Sequence, residues 1–520
     1  MLGLALTLVS SAVPQGIGDA VEALCARSDG IATSERIGTS RGGRPILALT
    51  LARRDGPSLE RRPGVLVVAG VHGQHRLGTD LALHHAEALL DGGADDRARR
   101  LLEQGVVYVV AQLNPDGTAL RRPGNGTALD LDRDGSTDED PHDDLNSDGH
   151  IAQMRWPDPE GEWIIDPDEP RVMRKADPAK GEVGTHAVAL EGIDNDGDDR
   201  RDEDVADGVL LHRSFSHDFA EHDPRSGQVA LGEPEARALA DFVFGHRNIG
   251  VAFVYGVDDC LLGKPKADKG DKRRPLRGIL EDDAELYASV GELYRDKTGR
   301  SGSGGDRHDG SVWSWLYCDV GVPAFATSVW SVPPSKAEKD QPKPTPEQAR
   351  LAQCEAAGRG FVDWASVEHP DLEDVEVGGF VDLPESALLA DDARGEVLDQ
   401  HHDWWLEVCS RRPACRIAEL TAKDLGDNAY EITATVANDG RAPALSAISA
   451  KSRRFPRPRL IFDAGGATVV AGELRQRTDN LTGLGGRAER RWIVTGEPGT
   501  TVTLELITDF AGCDRKEIQL

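Results

Sequence analysis

Residues 64–69, Gly-Val-Leu-Val-Val-Ala, constrain the fold more than any other stretch. A strand that is apolar at every position has no solvent face, so it needs cover on both sides. Gly70 ends the run, and from Thr79 a helical period puts Leu81, His85, Ala88 and Leu89 on one face. Buried strand, glycine and helix make one step of a parallel sheet covered by helices. His72 and His75 fall in the connecting loop, at the carboxyl edge where open α/β sheets collect their chemistry.

Other segments repeat the pattern. Residues 20–52 read as a helix followed by strands, with a turn at Arg41-Gly42-Gly43-Arg44-Pro45. Residues 105–113 and 249–255 read as further buried strands, the first closed by the turn signal Asn114-Pro115-Asp116-Gly117. Pro234 opens a helix through Phe244, residues 281–297 continue as helix, and residues 311–317 form a short one. Residues 323–330 suggest a last strand and residues 345–367 a last amphipathic helix. The fold class is α/β, a mixed, mostly parallel sheet flanked by helices.

Between Asp130 and Asp204 the chain turns acidic. Three short stretches carry oxygen side chains at alternating positions near a glycine. They are Asp130, Asp132 and Asp134 before Gly135; Asp144, Asn146 and Asp148 before Gly149; and Asp194, Asp196 and Asp198 around Gly197. That spacing opens a calcium loop. Asp138 and Asp140 are placed to complete the first, and Asp202 or Glu203 the third. None has a glutamate at the twelfth position, so complete EF-hands are excluded. A solvated acidic insertion without metal is the alternative, although so dense a set of carboxylates repels itself and a divalent cation would relieve that.

After residue 409 the texture changes. Tyr430, Ile432, Ala434 and Val436 alternate along one segment, and Val502, Leu504 and Leu506 along another. Short strands between polar turns predict an immunoglobulin-like β-sandwich over residues 409–520.

The chain has 520 residues and a net charge of −30, which argues against nucleic acid and anionic membrane surfaces as partners. Residues 3–13 form an apolar run ending in small residues. This reads as a signal segment over residues 1–17 or as an ordinary apolar start. No later run reaches the roughly 20 apolar residues that span a bilayer. Export would make the protein secreted, periplasmic or cell-surface, and would let Cys409 and Cys415 bridge; buried thiols are the alternative.

Taken jointly, these motifs resemble the zinc carboxypeptidases, the carboxypeptidase A-like metallopeptidases. That family follows its buried strand with His-x-x-Glu and a helix opened by Gly-Thr, and carries Asn-Pro-Asp-Gly with an Arg-bearing loop after it. Here His72 is kept, His75 stands where the family has Glu, and Gly78-Thr79 opens the helix. The resemblance implies a carboxypeptidase-like domain over residues 18–408, with the Asp-rich insertion at residues 128–205. It implies zinc-dependent removal of C-terminal residues from peptides, with zinc held by His72, His75 and a third ligand.

The third ligand falls at Tyr255 or Gly256, leaving Asp258 or Asp259 to substitute. Ser328 occupies the general-base position, in Gly-Val-Pro-Ala-Phe-Ala-Thr-Ser where the family ends in Glu. Arg213 survives in the carboxylate-gripping motif with His212 beside it, and Arg121 and Arg122 follow the Asn-Pro-Asp-Gly turn. The expected function is therefore that of an impaired zinc carboxypeptidase that keeps a cleft for peptide or protein C-termini and binds calcium. The alternatives are an active enzyme with a rearranged zinc site, and a non-enzymatic extracellular binding or scaffold protein.

Overall fold

A computed structural model describes residues 16–92, 95–197, 200–271, 273–302, 309–333, 344–453, 455–509 and 511–520. The expected signal segment, up to residue 15, lies outside them. At the centre is a six-stranded sheet. Its order is Ala32–Thr39, Pro45–Leu51, Val106–Val110, Gly64–Ala69, Ile249–Tyr255 and Ala324–Thr327. The last four run parallel and the first two are antiparallel. The 64–69 strand lies inside the sheet, and Val65 to Ala69 are each 0% exposed. The all-apolar run thus has the two-sided cover it needs.

Gly70 is obligatory where this strand ends. Its φ is +60°, and a Cβ there would sit 2.8 Å from the Gln112 backbone. The helix Arg76–Asp91 follows and packs back on the sheet.

The helix Arg394–Ser410, which the sequence did not suggest, covers the same side and packs against the helices Arg76–Asp91, Asp96–Gln104 and Ala284–Thr298. It buries Trp404 and Trp405 completely. Trp405 stacks on His85 at 4.4 Å between ring centres. His85 shares a hydrogen bond with the Tyr255 hydroxyl at 2.8 Å, and its Nδ1 lies 3.0 Å from that of His402.

Two expected elements are shorter than the apolar pattern suggested. The helix expected over residues 345–367 ends at Ala357, because Gly358 and Gly360 take positive φ; residues Phe361–Ser366 are strand instead. The strand expected over residues 323–330 stops at Thr327, and Val329 has a φ of +64°.

The acidic insertion is more than loops. Its strands Gln153–Pro157, Trp163–Ile165, Met173–Lys175 and His186–Leu190 join Phe361–Ser366 and Glu376–Phe380 in a second six-stranded sheet. Pairing is antiparallel along it.

The C-terminal region is a sandwich of two four-stranded antiparallel sheets. The alternating residues point inward as expected: Ile432, Ala434, Val436, Val502, Leu504 and Leu506 are 0% exposed. Asp283 ties this region to the larger domain. Its carboxylate accepts the N–H groups of Ala447 and Ile448, at 2.8 and 3.0 Å, and the Tyr317 hydroxyl at 2.8 Å. Cys409 and Cys415 do not bridge; both are free thiols. Cys409 belongs to the core of the larger domain and Cys415 to that of the sandwich, so each is packed in a different interior.

Burial pushes His401 and His402 down to about 4 from the usual 6.5, and His85 well below it. As pH falls below about 6.5, the unfolded chain therefore takes up protons before the folded one, and stability is lost progressively toward pH 4. Melting temperature is expected to fall through that window, and His402→Gln is expected to flatten the fall. An unchanged slope in that variant would contradict the assignment.

Candidate functional site

The loops leaving three parallel strands meet at one edge of the sheet. His72 and His75 follow the 64–69 strand, Val257 and Asp259 follow the 249–255 strand, and Ser328 follows the 324–327 strand. Together they line a cleft of about 610 Å³. The opposite wall comes from Trp330 and from Asp382, Leu383, Pro384, Glu385 and Ser386. The contribution of residues 382–386 was not foreseen, because it comes from the chain just after the second sheet. The cleft is where the buried-strand argument placed it.

The loop that carries His72 and His75 is shaped by close backbone approach. A Cβ at Gly73 would lie 2.3 Å from the Arg122 carbonyl and 2.4 Å from the Gly117 backbone. Asn114 holds this junction, donating to the Val71 and Pro123 carbonyls and capping the helix Pro115–Leu120. Asp116, fully buried, accepts from Arg44 at 2.7 Å and from the Gly42 N–H at 2.6 Å. The Asn-Pro-Asp-Gly turn is thus a structural clamp beneath the His72 loop.

His75 is 3% exposed. Its Nε2 donates to the Ser328 carbonyl at 3.0 Å, which fixes the proton on that nitrogen. The same carbonyl accepts the Trp330 N–H at 2.6 Å across Val329. A β-branched residue at positive φ is strained backbone, held only by such surroundings. Burial lowers the pKa of His75, so the ring stays neutral. The two positions where the resemblance puts a zinc-binding and a proton-accepting Glu are here joined to each other.

The remaining site residues are dispersed. His72 lies beside His212, ring centres 5.6 Å apart. Tyr255 is fully buried with its hydroxyl on His85, away from the cleft. Asp258 is 5% exposed and is not part of the cleft lining. Asp259 does line it: one carboxylate oxygen accepts the N–H groups of Leu261 and Leu262, the other has no donor, and burial raises its pKa.

A zinc centre needs three protein donors converging on one point. Among the described residues, no group of three metal-competent side chains within ligand reach includes His72, His75 or Asp258. The cleft residues as arranged do not fit a zinc ion.

The expected carboxylate grip is also engaged elsewhere. Arg213 pairs with Asp223 at 2.8 Å, and Arg122 donates to the Ala206 carbonyl at 2.6 Å. The described lining contains Asp259, Asp382 and Glu385 but no Arg or Lys.

In the insertion the first and third acidic stretches come together. Asp130, Asp132 and Asp134 form one group of converging carboxylates; Asp132, Glu139 and Asp204 a second; Asp134, Glu139 and Asp196 a third. Neither Glu139 nor Asp204 was selected from the sequence, because the alternating spacing skips both. Burial and the neighbouring Asp204 and Asp134 raise Glu139 to about 7.

The residues chosen to complete the loops do other work. Asp138 accepts the Leu129 N–H, Asp140 the Asn195 N–H, and Asp202 pairs with His142 at 2.8 Å. The Asp144, Asn146 and Asp148 turn is closed by its own backbone N–H groups and stands apart from these clusters. Asp198 lies outside the described residues.

The profile of the zinc carboxypeptidase family matches residues 17–317, and that of a domain of unknown function matches residues 414–519. Carboxypeptidase SOL1 of Arabidopsis thaliana is 31% identical over 112 residues, covering 21% of this chain and 23% of that protein. Carboxypeptidase D of Mus musculus is 31% identical over 158 residues, covering 27% of this chain and 11% of that protein. The chain therefore spans about a quarter or less of the length of these relatives. Among solved structures, carboxypeptidase A of Helicoverpa armigera aligns with a TM-score of 0.38 and 13% identity, over 61% of this chain and 63% of that one. With the family profile matching more than half its length, the chain belongs to the zinc carboxypeptidase family.

Proposed function

We propose that this protein is a carboxypeptidase-fold peptide-binding protein that has lost efficient zinc hydrolysis. The observation that carries the reading is that, among the described residues, no three metal-competent side chains converge around His72 and His75. The bond from His75 Nε2–H to the Ser328 carbonyl leaves Nδ1 as the lone-pair nitrogen, and no further donors gather with it. Ser328 brings a hydroxyl, which cannot accept a proton from water near neutral pH without a base beside it. Loss of a general base alone costs about 10²–10⁴-fold in rate.

The cleft remains, and its lining carboxylates Asp259, Asp382 and Glu385 favour peptides with basic side chains. The Asp-rich insertion is read as a calcium-binding segment, and the apolar start of the chain as an export signal that would place the protein outside the cytoplasm.

One observation favours a second reading, an active enzyme with a rearranged site. Asp259 presents a carboxylate oxygen without a donor in the same cleft as His72. Metal analysis after zinc exposure, paired with a C-terminal residue-release assay, separates the two. The expected result is well below one zinc per chain and release no faster than in buffer. Stoichiometric zinc with turnover abolished by Asp259→Asn would establish the second reading instead.

The His75 contact is itself measurable. His75→Ala empties a buried site and removes a donor from the Ser328 carbonyl, so denaturant unfolding is expected to show a loss of about 1–3 kcal/mol. A variant as stable as the parent would mean that the ring does not hold the Ser328 turn.

A further inference from the structure

The acidic insertion leaves and re-enters the larger domain through neighbouring backbone. Gly124 N–H donates to the Asp207 carbonyl at 2.9 Å, and Asn125 N–H to that of Val209 at 2.9 Å. Just beyond this neck, the outgoing segment carries Asp132, Asp134 and Glu139, and the returning one Asp196 and Asp204. Their carboxylate oxygens lie within 4.8 Å of one another in two overlapping groups that share Glu139.

Clustered carboxylates alone prove nothing, since exposed acidic groups are common in proteins. Asp204 supplies the independent observation. It is 1% exposed. One of its oxygens accepts the Leu131 N–H, while Oδ2 is buried with no donor. Both oxygens of Glu139, which belongs to the same group, are likewise buried without a donor. A buried acceptor left unsatisfied costs about 1–3 kcal/mol, and more when it is charged. Here the unsatisfied oxygens lie among other carboxylates.

We propose that Glu139 and Asp204, with Asp132, Asp134 and Asp196, form one divalent-cation centre that clasps the two ends of the insertion. The donors are all oxygens, which selects a hard cation over zinc. Calcium accepts about six to eight oxygens in flexible geometry, whereas magnesium demands a near-ideal octahedron and keeps several waters, so a centre of five protein carboxylates suits calcium. The ligand is therefore calcium. The centre joins the first and third acidic stretches and omits the second, whose Asp144 carboxylate is satisfied by the N–H groups of Asp148 and Gly149. The assignment rests on the calcium reading of the insertion given above and specifies which residues carry it.

The test uses the full chain, stripped of metal with a chelator and dialysed, with calcium chloride as the probe. Binding is measured by calorimetry, and melting temperature is followed with calcium and with magnesium. The parent protein is expected to bind calcium and to melt higher in its presence than in equimolar magnesium. Glu139→Gln and Asp204→Asn are each expected to weaken calcium binding at least tenfold and to lose the thermal shift; Asp144→Asn is expected to stay within twofold of the parent.

Glu139 is only partly buried, so Glu139→Gln decides the matter if Asp204→Asn fails to fold. Calcium binding in the parent that survives Glu139→Gln, or is abolished by Asp144→Asn, would overturn this assignment while leaving the calcium reading intact. No calcium binding by the parent would overturn both.

Discussion

The molecule is organised around a strand that cannot touch water on either face. With Val65 to Ala69 fully buried, the sheet must extend on both sides and helices must cover it, so polar loops can emerge only at the strand ends. Gly70, at positive φ and pressed against Gln112, turns the chain there sharply enough for His72 and His75 to face the ends of the 249–255 and 324–327 strands. The cleft is a by-product of that burial. It sits where the strand ends meet, which is why one fold can carry sites of different chemistry.

The side chains at the mouth of the cleft have a logic of their own. Where a carboxylate ligand and a carboxylate base would face a metal, this chain has an imidazole and a serine. The imidazole, buried and neutral, has its proton directed at the backbone of the Ser328 turn. That contact supports a strained residue, Val329. The same bond leaves Nδ1 of His75 without a partner, and Asp259, Asp382 and Glu385 set the charge of the cleft.

Much of the frame was legible in the sequence because it rests on local patterns. Apolar runs gave the 64–69, 106–110 and 249–255 strands, and strict alternation gave the inward face of the sandwich. The second sheet was not legible. Its strands are short, two of them only three residues long, and the pairing that joins its two halves, Gln153–Pro157 with Glu376–Phe380, spans some two hundred residues, which periodicity cannot reveal. The helix Arg394–Ser410 was missed for a related reason, since its Trp and His residues pack on several elements rather than along one clean stripe.

At the site, identity was legible and orientation was not. The substitutions at His75 and Ser328 could be read from the motifs, but that they would bond to each other could not. In the insertion, alternating spacing led to Asp138 and Asp140, whereas convergence in space brings in Glu139 and Asp204.

The second sheet also bears on how the protein is made. The Gln153–Pro157 strand lies between the His186–Leu190 and Glu376–Phe380 strands, so one of its two partners is not synthesised until much later. Until then its edge is an open row of backbone donors and acceptors, the kind of surface that recruits other chains. The pairing of Met154 with Val377 therefore closes this sheet only after residues 376–380 have been made.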